Sequence, residues 1–160
     1  MITSGAYALR LPEAHQDAVQ RVVQQHQTGR ARPEQHPFAR QLNFWALAIA
    51  TAVARGLEPA SESVRLRKFV DTRAVDMPEK LCDLLSVIAL ATLGPEHEDV
   101  DNPAAIIRLA NRYAAAGCPD LLNRLTDPNL RLTPLEKALE FAAELRDTVG
   151  KHPEGSAEDA

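Results

Sequence analysis

Aromatic side chains are scarce in this sequence: one tryptophan, two tyrosines and four phenylalanines make up 4% of 160 residues. Sheet-rich cores lean on aromatic and β-branched residues. Their scarcity, set against an apolar share of 45% carried mainly by alanine and leucine, favours helix over sheet. Cysteine is also nearly absent. Cys82 and Cys118 fall inside or beside apolar helical patterns, with no second cysteine or histidine at a ligand spacing. That reads as two buried, reduced thiols, and it argues against a disulfide framework, a zinc site or an activated nucleophile. The seven glycines form no Walker loop and no G-x-G-x-x-G, and the five histidines are scattered, so neither a phosphate cradle nor a metal-gathering pair is visible. The "EHED" run at Glu96 to Asp99 lacks the glycine turn and spaced carboxylates of a calcium loop. The longest apolar stretch, Phe44 to Ala54, is too short to cross a bilayer, and no basic start followed by an apolar run opens the sequence. The expectation is a cytoplasmic protein without membrane segment, metal or cofactor.

What is present is helical punctuation. Ala6 to Leu11 alternates with a period of two and Pro12 closes the run, predicting a short N-terminal strand; Glu13 to about Gln27 then carries a helical stripe. Thr28 to Pro37 is a polar loop, and Phe38 to Arg55 is the most apolar helix, stopped by Gly56. The segment "VRLRKFVDTRAV" is compatible with either an extended stretch or a short helix. Asp76 is an N-cap candidate for a helix ending at Gly94, and Asn102 with Pro103 opens another that stops at Gly117. Pro119 starts a short helix to Leu125, and Thr133, Pro134 and Glu136 form a capping signature for a last helix up to Gly150. Together these predict a mainly α, single helical domain of about five to six helices over residues 1–150 and a flexible polar tail at 151–160. The expected core is Val19, Val22, Phe44, Trp45, Ile49, Leu81, Leu85, Ile88, Ile107, Leu109, Tyr113 and Leu139.

The net charge of −4 hides an asymmetry. Residues 1–56 hold six arginines against three carboxylates, a balance of +3, whereas the remainder holds twelve basic against nineteen acidic residues, a balance of −7. A polyanion is therefore expected to meet the front of the chain and a partner protein the back. The candidate nucleic-acid contacts are Arg10, Arg30, Arg32 and Arg40, with the last three suited to phosphates.

The stretch "YALRLP" resembles the ribbon of ribbon-helix-helix DNA-binding proteins, in which two chains pair their first strands and present alternate side chains to the major groove. The resemblance implies a homodimer, with Arg10 at a base-reading position and Ala6 and Ala8 at its companions. Two departures accompany it: alanine offers only a methyl contact, and the ten-residue Thr28 to Pro37 connection replaces that family's tight turn.

Over roughly residues 10 to 125, the stretches "HPFARQLNFWALAIATAVARG", "FVDTRAVDMPEKLCDLLSVIALATLG" and "NPAAIIRLANRYAAAGCPDLLNRL" resemble small helical accessory proteins encoded beside bacterial DNA phosphorothioation (Dnd-type) modification and restriction genes. That resemblance implies a noncatalytic role in an antiphage defence or DNA-modification system, with partner proteins from the same operon. It carries over no catalytic residue. The expected function is thus DNA binding, partner-protein binding or both. The alternatives are a ribbon-helix-helix-like transcriptional regulator and an enzyme whose site is assembled from scattered residues.

Overall fold

The computed structural model of the chain describes residue 2, residues 5–128 and residues 131–150. The tail expected at 151–160 lies outside the described residues. Among the described residues the fold is mainly helical, with five α-helices and one two-stranded antiparallel sheet: β1 (Ala8–Pro12), α1 (Gln16–Arg21), α2 (Gln41–Ala54), β2 (Leu66–Asp71), α3 (Glu79–Leu93), α4 (Pro103–Thr126) and α5 (Pro134–Gly150).

The helix expected from Glu13 to Gln27 is broken into α1 and flanking 3₁₀ turns at Glu13–His15 and Gln24–His26. The cause is a competing pairing. Phe38 donates its N–H to the Val22 carbonyl at 3.3 Å and accepts from the Gln24 N–H at 2.7 Å, so this stretch of backbone bonds sideways and cannot continue the helical ladder. Val22 and Val23 still bury their side chains.

Helix α2 ends as the sequence indicates. Gly56 takes φ +64°, its N–H bonds to the Val53 carbonyl, and the Leu57 N–H reaches the Ala52 carbonyl, the two bonds of a Schellman stop. Asn102 caps α4 by accepting from the Ala104 N–H at 3.1 Å, with Pro103 in the first turn. The Thr133 and Glu136 signature forms both reciprocal bonds at the start of α5, 2.7 Å and 3.2 Å. At α3, by contrast, Asp76 is not the N-cap; Pro78 holds that position and makes no side-chain cap bond.

The largest correction concerns Gly117 and Pro119. Helix α4 does not stop at Gly117; it runs without a break to Thr126 with Pro119 inside it. An interior proline removes one helical bond and costs about 3 kcal/mol. Burial on both sides of it offsets that cost, because Ala114 and Cys118 before and Leu121, Leu122 and Leu125 after all enter one core. Gly117 serves a different purpose. A Cβ at that position would lie 1.9 Å from the Ala48 carbonyl oxygen and 3.0 Å from the Ala52 nitrogen, so glycine is what lets α4 cross directly on the backbone of α2.

Strand β1 pairs antiparallel with β2, with a bulge where Leu9 faces Val70 and Arg10 faces Lys68. The undecided segment "VRLRKFVDTRAV" is therefore extended over its central part. Leu9 and Leu11 are buried and Arg10 is exposed, the alternation expected of the strand. The first edge of β1 is taken by β2 of the same chain.

Its second edge is closed by Asn111 of α4, which is only 3% exposed. The Asn111 Oδ1 accepts from the Arg10 backbone N–H at 2.8 Å and from the Trp45 indole Nε1–H at 3.1 Å, and its Nδ2 donates to the Ala8 carbonyl at 3.0 Å. Two donors facing one end of the amide and a carbonyl facing the other fix its orientation. One side chain thus substitutes for a strand partner and ties β1, α2 and α4 together.

Three expected core positions lie elsewhere. Leu81 and Tyr113 are only partly buried, packed on the margin of the core. Leu139 is 63% exposed because α5 turns Ala138, Phe141 and Leu145 inward. Lys137 lies on the same inward side, laying its stem against the core while its Nζ donates to the Asp127 carbonyl at the end of α4 at 2.8 Å, a favourable place for a cation.

Gly117→Ala should destabilise the protein by at least about 3 kcal/mol, the upper end for overpacking, because the clash is with backbone that no rotamer change relieves. Urea unfolding followed by circular dichroism measures it; a midpoint equal to wild type would refute the close crossing.

Candidate functional site

Beside the clamped edge of β1 lies a groove of about 550 Å³. Its floor and inner wall come from Tyr7, Ala8 and Arg10 of the N-terminal segment and from Ile107, Arg108, Asn111 and Arg112 of α4, and its outer wall from the 61–66 segment, including Glu62, Val64 and Leu66. Arg108 and Arg112 are one helical turn apart and so share a face of α4. Three guanidinium groups therefore line this groove against one carboxylate, Glu62.

Their surroundings differ. Arg112 donates from Nε to the Ala60 carbonyl at 2.7 Å, and its own carbonyl accepts from the Ala60 N–H at 3.0 Å. This reciprocal tie pins the outer wall of the groove to α4. The Arg10 and Arg108 side chains are exposed and make no hydrogen bond or ion pair with the described residues. Guanidinium remains charged throughout the working pH range and presents a planar fork of donors matched to phosphate or carboxylate oxygens. An uncompensated pair beside a pre-built wall attracts an oxyanion.

The cations in and before β2 line other cavities: Arg67 and Lys68 one with Gln16 and Gln41, and Arg65 one with Pro12 and Glu13. Lys68 is the register partner of Arg10 and pairs with Asp71 at 3.3 Å, and Arg67 donates to the Gln16 Oε1 at 2.8 Å. Arg65 at the strand's start is exposed and makes no side-chain bond with the described residues.

Of the four arginines expected from the sequence, only Arg10 belongs to this groove. Arg30 and Arg32 are exposed on the loop before α2, a loop tethered toward α5 by the Leu135 N–H to Glu34 carbonyl bond of 3.0 Å. Arg40 precedes α2 and lines a separate cavity of about 290 Å³ with Gln25, His26 and Phe69. The structure does not gather these three around Arg10. Arg55, part of the basic front by count, is neutralised by Asp120 at 3.3 Å and lies over the buried Phe141 ring at 5.2 Å.

Arg65, Arg67, Lys68, Arg108 and Arg112 were not among the expected contacts. A local count had the signal: residues 64–74, "VRLRKFVDTRA", hold four cations against one carboxylate. Summing everything after Gly56 averaged that segment with the acidic loops. Arg108 and Arg112 carry a helical i, i+4 signal, but nothing in their spacing says that they face a strand more than ninety residues earlier.

Both thiols are held toward the protonated form. Burial pushes the Cys118 thiol up to about 12. Cys82 is also raised, first by burial and then by Asp83. Among the described residues no three His, Cys, Asp or Glu side chains converge to hold a metal. The Glu96 to Asp99 loop folds on itself, its His97 Nδ1 accepting from the Asp99 N–H at 3.1 Å. No helix among the described residues is long and apolar enough to cross a membrane.

Comparison with family models, curated proteins and solved structures gives no match for this chain.

The raised thiols give a direct check. In a native sample at pH 8, iodoacetamide should leave Cys118 unmodified and alkylate the partly exposed Cys82 slowly, since only the thiolate reacts and raised values shrink its fraction. Both should react fully in 8 M urea, where burial is gone. Native alkylation of Cys118 at the rate of a free thiol, read by mass spectrometry, would contradict its placement.

Proposed function

We propose that this protein is a noncatalytic accessory protein that contacts the phosphate backbone of DNA through the Arg10, Arg108 and Arg112 groove. The observation that carries the reading is the unneutralised pair Arg10 and Arg108 on a rigid frame, one on the clamped strand and one on the helix that clamps it. Such groups bind phosphates without base-specific information, so affinity should depend steeply on salt and weakly on sequence. The groove's lining is mostly arginine, apolar and small side chains, and guanidinium does not act as a general base. That composition suits binding better than turnover.

A second surface favours a protein partner as well. Helix α3 exposes Leu84 at 43%, Val87 at 59% and Leu90 at 47%, positions that recur along one helical side, and the loop after it carries Glu96, Glu98, Asp99 and Asp101. An apolar strip beside acidic residues is a reasonable contact for a basic, partly apolar protein surface. With the resemblance of residues 10 to 125 to Dnd-type accessory proteins, these features support a place beside larger enzymes in a bacterial DNA-modification or antiphage defence system. The ribbon-helix-helix regulator is the weaker reading, because Asn111 occupies the edge of β1 that a second chain would need.

Fluorescence anisotropy with a labelled duplex across a salt series tests the groove. Arg10→Ala and Arg108→Ala should each weaken binding and lower the salt slope by about one, whereas Arg30→Ala should leave the slope nearly unchanged. An unchanged slope in the Arg10 and Arg108 variants would remove the proposal.

A further inference from the structure

We infer that the β1–α4 groove seats a single nucleotide unit, so that the nucleic acid it prefers is single-stranded. The inference rests on the reading of the groove as a nucleic-acid contact and goes on to the form of its ligand. The lining has two chemistries facing one space. Arg10, Arg108 and Arg112 supply cations, and Val64 and Leu66 supply an apolar wall. Val64 is 41% exposed and so offers this wall to a ligand without unpacking the core.

A bare phosphate needs only the first set, and a cavity of about 550 Å³ is far larger than one phosphate, falling within the usual range for small-molecule sites. A duplex suits the site poorly. Its bases are stacked and paired inside, so it presents phosphates to this open groove and leaves the apolar wall wet. A single strand can place one phosphate between Arg10 and Arg108 and lay the attached sugar and base against Val64 and Leu66. Glu62, on the same wall, is an acceptor suited to a base amino group. The outer wall is already fixed to α4 by the Ala60 and Arg112 bonds, so little ordering cost attends binding.

The test compares a labelled single strand with the duplex of the same sequence at fixed salt, using the full chain. The single strand should bind about tenfold more tightly, the scale expected when one base gains a contact surface. Deoxyadenosine monophosphate should compete where inorganic phosphate at equal concentration does not. Val64→Asn, at an exposed loop position, should bring single-strand affinity down to the duplex level while the melting temperature stays unchanged. Equal or tighter duplex binding that still depends on Arg10 and Arg108 would overturn this inference and leave the DNA-contact reading standing. Competition by phosphate as effective as by the nucleotide would also overturn it. Binding to neither form would overturn both.

Discussion

The carboxamide of Asn111 is the constraint on which the rest of the arrangement depends. It is a polar group in the middle of an apolar helix face, 3% exposed, and leaving such a group or its partners unpaired costs roughly 1–3 kcal/mol each. Here three partners are satisfied at once: the Arg10 N–H, the Ala8 carbonyl and the Trp45 indole. Because these belong to β1 and α2, the register of α4 against both is fixed by hydrogen-bond geometry as well as by packing. Gly117, two helical turns further on, acts in the same direction by allowing the α4 backbone to rest on Ala48.

That constraint carries the groove with it. Arg10 follows from the strand that Asn111 holds, Arg108 and Arg112 flank Asn111 on the helix, and Arg112 fastens Ala60, next to the 61–66 segment that forms the opposite wall. The cations are thus displayed on structure whose position is determined from beneath, which lowers the ordering cost of meeting an anion. Two other arginines are absorbed into packing instead. Arg55 and Arg124 both lie against the Phe141 ring, and Arg124 pairs with Glu144 and Glu140, so they help dock α5 and add little to the external field.

Much of the fold was legible in the sequence because it is written in local chemistry. Asn102, Gly56 and the Thr133 and Glu136 box each bond to backbone within a few residues, so their meaning does not depend on the rest of the chain. The misread places are those decided at a distance. Gly117 looks like a helix stop until a second helix is laid across it, and Pro119 looks like a helix start until the leucines beyond it are seen to share the core. The helix after Pro12 is interrupted by Phe38, which is far along the chain. Leu139 reads as core from the apolar pattern of its helix, whereas the side of α5 that faces inward includes Lys137. For the groove, Arg10 is visible because an alternating strand has an outer face; its companions on α4 are not, since three helices and a strand intervene in the chain before they return to it.

The most direct measurement of the central contact is hydrogen exchange at the Arg10 backbone amide. On an open strand edge that N–H would meet solvent and exchange as quickly as those of exposed loops. Held by the Asn111 oxygen, it should exchange only with opening of the α2–α4 core, at rates comparable to amides in the middle of α4. Slow exchange at Arg10 is the expected result. Exchange there as fast as at Glu62 or Ser63 would mean that the strand edge is free and that Asn111 does not hold the fold together.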